Sequence, residues 1–174
     1  MFAKSDRSRL QSLVIISFLI ALEIVLSRLL VISTPILRIS LGFLPIAFIA
    51  IMYGPLWAAG SNAISDFLGV TMFPTGYPYF IGYTLSYFLT GATFGIFLHK
   101  RNVTVLRVLP ASIIVCLLIN LGLNTLWTSL QTGKGWMILL PPRLIKDVVF
   151  IPIQCTLIPL VWKYVKRFAP VEQT

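Results

Sequence analysis

LQSLVIISFLIALEIVLSRLLVI, residues Leu10 to Ile32, is longer than the roughly 20 apolar residues that a helix needs to cross a hydrocarbon layer about 30 Å thick. Only Glu23 and Arg28 interrupt it with charge. The run is too long for the apolar core of a signal peptide, and no small-residue cleavage pattern follows it. It therefore reads as a retained membrane helix, ended by Ser33-Thr34-Pro35.

The same texture fills the rest of the chain. Of 174 residues, 57% are hydrophobic and 11% charged, with a mean hydropathy of +0.92, whereas soluble domains carry charge on about a quarter of their residues. Gly54-Pro55 divides a short apolar run, Phe43 to Tyr53, from a longer one, Leu56 to Met72. FPTGYP, Phe73 to Pro78, is a turn-rich connection to the span Tyr79 to Leu98, which His99-Lys100-Arg101-Asn102 stops. Val103 to Gln131 follows. Thr132-Gly133-Lys134-Gly135 then turns the chain into a last span, Trp136 to Tyr164, where Pro152 and Pro159 predict kinks. The expected fold is all-α and integral to the membrane, with six transmembrane helices. Residues 10–165 form the membrane domain between cytoplasmic tails at 1–9 and 166–174. That leaves no room for a separate soluble catalytic, nucleotide-binding or nucleic-acid-binding domain.

Lys and Arg number 14 against 5 Asp and Glu, a net charge of +9. In a soluble protein this would suggest a polyanionic partner; in a membrane protein it records orientation. Six spans with both termini cytoplasmic put Lys4, Arg7 and Arg9, then Lys100, Arg101 and Arg107, then Lys163, Lys166 and Arg167 on the inner side. Arg38 and Lys134 fall outside. A five-span reading, with Phe43 to Met72 as one broken helix, would put one of these clusters on the wrong face. Trp57 and Trp162 then lie near the inner interface and Trp136 near the outer one, as aromatic anchors.

Ionisable groups within hydrocarbon are costly and mark candidate sites. Glu23, Asp66, Arg143, Lys146 and Asp147 all count to the outer half of the bilayer or its middle, and the inner half is nearly free of charge. A channel needs polar groups along its whole length, so a half-depth pocket open to the outside fits better. Neutral polar residues repeat the pattern. Asn120, Asn124, Trp127, Thr128 and Gln131 share one helical face, as do Tyr79, Tyr83, Ser86 and Thr90, and Asn62, Ser65 and Asp66. For a single Asn or Ser, interhelical hydrogen bonding is the ordinary explanation. Asp66 together with Arg143 and Lys146 exceeds what packing requires. Asp147 is expected to pair with Arg143 or Lys146, and Glu23 with a basic group at its own depth. A carboxylate, two cations and many aromatic rings suit a ligand that is aromatic and hydrogen-bonding at one end and anionic at the other.

Ser17-x-x-x-Ala21 and Gly91-x-x-x-Gly95 each clear one helix face for close approach of another helix, within the bundle or in another subunit. Cys116 and Cys155 sit in apolar runs without metal-type spacing and read as core residues. His99, among basic residues at a span end, reads as a solvated interface residue. The chain has no Gly-x-Ser-x-Gly, His-Glu-x-x-His or phosphate-loop pattern, so neither an intramembrane hydrolase nor an ATPase is expected.

Three runs carry a resemblance: TPILRISLGFLPIAFIAIMYGP (Thr34 to Pro55), SDFLGVTMFPTGYPYFIGYTLS (Ser65 to Ser86) and LNTLWTSLQTGKGWMILLPPRLIKDVVFIPIQ (Leu123 to Gln154). They resemble the folate-specific S components of energy-coupling factor transporters, and FPTGYPYFIGYTLS and LLPPRLIK are the most specific parts. The resemblance implies a non-enzymatic subunit in a prokaryotic plasma membrane. Such a subunit captures folate outside, needs no cofactor, and works with a shared transmembrane subunit and two cytoplasmic ATPases. It also implies that Ser17 and Ala21 touch the shared subunit, where the family usually has Ala at both positions, and that transport involves toppling of the subunit in the membrane. Asp66 would accept from the pterin ring, while Arg143 and Lys146, with Arg38 as a further candidate, would hold glutamate carboxylates. Tyr79, Phe80, Tyr83 and Trp127 would flank the rings, and Asn120 or Asn124 would add hydrogen bonds. The loops Ser33 to Ser40 and Phe73 to Pro78 would gate the pocket. The alternatives are an S component for riboflavin or thiamine, and a membrane structural or regulatory protein whose polar stripes only pack helices.

Overall fold

The computed structural model describes residues 2–29, 31–33, 38–73 and 79–166. Helix α1 (Phe2–Ile24) passes into a π-helical turn (Val25–Leu29) and then a two-stranded antiparallel ribbon, β1 (Val31–Ser33) and β2 (Arg38–Ser40), with Ile32 opposite Ile39. There follow α2 (Phe43–Tyr53), α3 (Pro55–Met72) and α4 (Ile81–Leu98). Helix α5 (Val105–Ile113) continues through a π-helical segment (Ile114–Leu123) into α6 (Asn124–Thr132), and α7 (Trp136–Val165) closes the bundle. The helical backbone thus begins well before Leu10, and the ribbon replaces part of the expected loop from Ser33 to Ser40. Residues 34–37 and 74–78, which carry most of the two expected gating loops, and 167–174 lie outside the described residues.

Arg9–Leu29, Ile81–Leu98, Val105–Thr132 and Trp136–Val165 are long and apolar enough to cross a membrane. The chain is a multi-pass membrane protein. Helix α7 keeps its 30 residues as one element through Pro141, Pro142, Pro152 and Pro159. The other two helices differ in kind. Helix α2 has 11 residues and reaches only about 16 Å. Helix α3 has 18 but buries Asn62, Ser65 and Asp66.

Helix α2 forms the centre. Pro45 to Ile51 are all buried, enclosed by α1, α3, α4 and α7, and a helix covered on every side has no need of a polar face. Gly54 ends it at φ +91°, in the region that favours glycine, and Pro55 starts α3 at a position where its missing N–H costs nothing. His99 does not stand free at the interface. Its Nδ1 donates to the Ile51 carbonyl at 3.2 Å, satisfying one of the carbonyls that a helix end leaves unpaired, and a Cβ on Gly54 would meet its ring at 3.2 Å. One side chain therefore ties the end of α4 to the α2–α3 corner.

Helices α3 and α4 run antiparallel in close contact. Gly95 lies against Pro55 and Gly91 against the Ala58 carbonyl, so the partner of Gly91-x-x-x-Gly95 is inside the bundle. Further along, Asn62 Nδ2 donates to the Tyr87 carbonyl at 2.6 Å. A Cβ on Gly95 would overlap the Pro55 backbone, which cannot swing aside as a side chain can. Gly95→Ala is accordingly expected to destabilise the bundle by about 1–3 kcal/mol, seen as a lower unfolding temperature in detergent. An unchanged temperature would show that the two helices need no such contact.

Candidate functional site

A cavity of about 380 Å³, within the usual range for small-molecule sites, opens between the π-helical turn of α1, the start of α2, α3, α4, α6 and α7. Arg143, Lys146, Phe150 and Gln154 line it along one face of α7, a rise of about 16 Å. Asn62, Asp66 and Val70 line it at four-residue spacing on α3. Of the expected residues, Asp66, Arg143, Lys146, Tyr79, Phe80, Tyr83, Asn120 and Asn124 share its wall.

Trp127 does not. On α6 it falls to the α4 side of the strip formed by Asn124, Thr128 and Gln131. There its Nε1–H donates to Ser86 Oγ at 3.1 Å, and its ring backs that of Phe80 at 5.6 Å between centroids. The three-or-four spacing that grouped it with the others takes no account of flank. Arg38 opens β2, and its side chain lies outside the described residues.

The charges pair differently from the expected grouping of Asp66 with Arg143 and Lys146. Asp66 Oδ1 accepts from Arg28 Nη2 at 3.3 Å, both side chains being almost fully buried, and Asp66 Oδ2 accepts from Thr84 Oγ1 at 2.9 Å. Tyr79 OH bonds the same threonine at 2.7 Å, so a chain of contacts runs from the cavity wall to a half-exposed tyrosine. Arg28 is the residue that sequence reasoning missed. The signal was there: an arginine inside an apolar span, near its end, at the depth counted for Asp66. Gly69 makes room for it, since a Cβ there would lie 2.7 Å from Arg28 Nε.

This gives a direct check. Gly69→Ala should push the guanidinium off Asp66 and lower stability by about 1–3 kcal/mol in thermal unfolding. The loss should shrink in an Arg28→Ala background, because alanine removes every side-chain atom that the new Cβ would meet. Equal losses in both backgrounds would mean that Gly69 does not act through Arg28.

Lys146 Nζ pairs with Asp147 at 3.1 Å, as expected for Asp147, and sits 5.9 Å from the Phe150 ring centre. Arg143 is different. Among the described residues it makes no ion pair, and its partners are hydroxyls: Thr125 Oγ1 at 3.3 Å and Thr128 Oγ1 at 2.6 Å. Thr128 gives its own proton to the Asn124 carbonyl at 2.7 Å, so the Tyr83 hydroxyl, 2.8 Å away, must donate to it as Arg143 does. Arg143 is thus a cavity cation oriented by neutral groups. Asn124 Nδ2 donates to Asn120 Oδ1 at 3.0 Å, and Glu23 and Ser27 complete the wall beside Gly42.

A second feature lies on the surface between α1 and α3. It is an apolar groove, with Ser17 and Ala21 exposed beside Trp57, Gly60, Ile64 and Leu68.

A polar, cation-bearing cavity enclosed by apolar helices is the construction of a membrane-embedded binding protein. The chain belongs to the family "ECF transporter, substrate-specific component", whose profile matches residues 11–162. It is similar to the "Folate transporter FolT" of Clostridium novyi (strain NT), 43% identical over 155 residues that cover 89% of this chain and 90% of that one. The "Folate transporter FolT" of Leuconostoc mesenteroides subsp. mesenteroides is 35% identical over 147 residues, covering 81% and 78%. Among solved structures, the "Crystal structure of FolT bound with folic acid" matches with a TM-score of 0.82 and 38% identity, over 87% of this chain and 92% of that one.

Proposed function

We propose that this chain is a high-affinity folate-binding subunit that captures folate outside the cell and, with a shared transmembrane subunit and two ATPases, delivers it inward. The observation that carries the reading is Arg143, a cavity cation held only by hydroxyls, in a chain whose relatives are folate transporters. A carboxylate can take two parallel N–H bonds from such a guanidinium. Lys146, already paired with Asp147, presents its remaining N–H donors at the same wall. Asp66, a buried carboxylate on the cavity wall, accepts from the pterin. Tyr79, Phe80 and Tyr83 flank the rings with Trp127 supporting Phe80, while Asn120 and Asn124 add hydrogen bonds. Arg38 remains a candidate for the carboxylates.

Six crossings with cytoplasmic termini, in the plasma membrane of a prokaryote, accord with the antiparallel course of α3 and α4 and with the basic residues near Lys100 and Lys163. The shared subunit docks in the groove at Ser17 and Ala21. The chain itself needs no catalytic set, and ATP is hydrolysed by the partners.

Titrating folic acid into the purified chain in detergent, followed by tryptophan fluorescence or heat, tests the reading. Tight one-to-one binding, lost in Arg143→Gln, is expected. Binding of riboflavin or thiamine instead would assign a different vitamin, and failure of all three on folded protein would overturn the site.

A further inference from the structure

We propose that Thr128 is a positioning residue of this site: its hydroxyl fixes the Arg143 guanidinium at the cavity wall and has no bonding position left for the ligand itself. The inference rests on the folate reading above, in which Arg143 takes a ligand carboxylate.

A hydroxyl offers one proton and two lone pairs, and on Thr128 all three are engaged. The proton goes back to the Asn124 carbonyl of its own helix, α6, at 2.7 Å. One lone pair accepts from the Tyr83 hydroxyl of α4 at 2.8 Å, and the other from Arg143 Nη2 of α7 at 2.6 Å. A threonine that bonds the carbonyl four residues earlier is ordinary in a helix, and by itself would say nothing about function. Here that bond holds the rotamer and commits the proton to α6, so both lone pairs face the neighbouring helices. Two donors from two other helices meet them there.

The distances rank the two hydroxyls that hold Arg143. Thr125 is fully buried and accepts from Nη1 at 3.3 Å, whereas Thr128 lines the cavity and accepts from Nη2 at 2.6 Å. The shorter bond therefore acts where the guanidinium meets the cavity. An arginine side chain has much rotamer freedom to lose, and a group ordered before the ligand arrives leaves less ordering to be done on binding. The chemistry of the holder matters as well. Lys146 is held by a carboxylate, which cancels its charge, while neutral hydroxyls orient Arg143 and leave its full charge on the cavity side.

The test uses the full chain in detergent with two ligands: folic acid, and its diamide, in which both glutamate carboxylates are replaced by neutral amides. Thr128→Val keeps the shape of the side chain and removes the hydroxyl. It is expected to weaken folic acid about tenfold and the diamide by less than about twofold, and Thr128→Ser should recover most of the loss. In an Arg143→Gln background Thr128→Val should add little, because a residue that acts through another has nothing left to hold. Should Thr128→Val fail to fold, Thr128→Ala carries the same comparisons. Unchanged folic acid affinity in the folded variant, equal losses for the two ligands, or the full further loss in the Arg143→Gln background each overturns this proposal and leaves the folate reading intact. No binding of folic acid by the unaltered chain overturns both.

Discussion

Ala21→Trp is expected to abolish folate uptake by cells while leaving folic acid affinity of the isolated chain within about twofold. Ala21 and Ser17 are exposed on α1, one turn apart, in an apolar groove whose other wall is Trp57, Gly60, Ile64 and Leu68 of α3. Small side chains at such spacing let two helix backbones approach closely, and in lipid that contact must come from packing rather than from water exclusion. An indole at position 21 fills the groove and holds any partner helix away by several ångströms. Among the described residues the cavity is lined from α1 only by Glu23 and the turn after it, so the ligand site should not register the change. Uptake assays in cells carrying the full transporter, set beside titration of the purified chain, separate the two effects. Normal uptake would show that this face of α1 is not where the partner docks. Loss of both would mean that the substitution disturbs the bundle itself.

Asp66→Asn should weaken folic acid binding by about 2 kcal/mol or more, the scale of a buried hydrogen bond to a charged group. It should also lower stability, because Arg28 is left buried without its counter-charge. Breaking a buried ion pair by removing one partner costs roughly 3–5 kcal/mol. The two losses can be told apart. Adding Arg28→Gln removes the orphaned cation and should restore much of the unfolding temperature, yet it supplies no carboxylate for the ligand, so affinity should stay low. If the double variant recovers affinity together with stability, Asp66 serves the fold and does not touch folate. Unchanged affinity in a folded Asp66→Asn single variant would remove it from the site outright.

How far the residues alone carried this picture can be seen at particular positions. The apolar runs and the Gly54-Pro55 break placed the helices within a few residues, except that α1 begins at Phe2, well before the apolar run, because span length and turn chemistry are local properties. The polar stripes on α3, α4, α6 and α7 located one cavity, since residues at three-or-four spacing must share a face. Pairing across helices was less legible. Arg28 carries the same membrane-charge signal as Asp66, but nothing local says that π-helical widening of the turn at Val25–Leu29 and the absence of a Cβ at Gly69 bring the two together. Trp127 shared a stripe and left the cavity by the angle of one flank. His99 looked like a solvated basic-cluster residue because its acceptor, the Ile51 carbonyl, is 48 residues away in sequence. The ribbon of Val31–Ser33 and Arg38–Ser40 was hidden because two three-residue strands carry too little alternation to be read.

Helix α2 spans about half the thickness of a hydrocarbon layer, and α3 carries Asp66, Asn62 and Ser65, so neither partitions readily into lipid alone. The remaining helical stretches do. Biosynthesis therefore meets the least membrane-worthy segments early in the chain, directly after α1, and must shelter them until α4 and α7 arrive to enclose them. The order of synthesis and the order of burial are opposed. The Asp66 carboxylate reaches its place in the cavity wall only when the frame around it is nearly complete, which makes the cavity itself a late feature of the nascent chain.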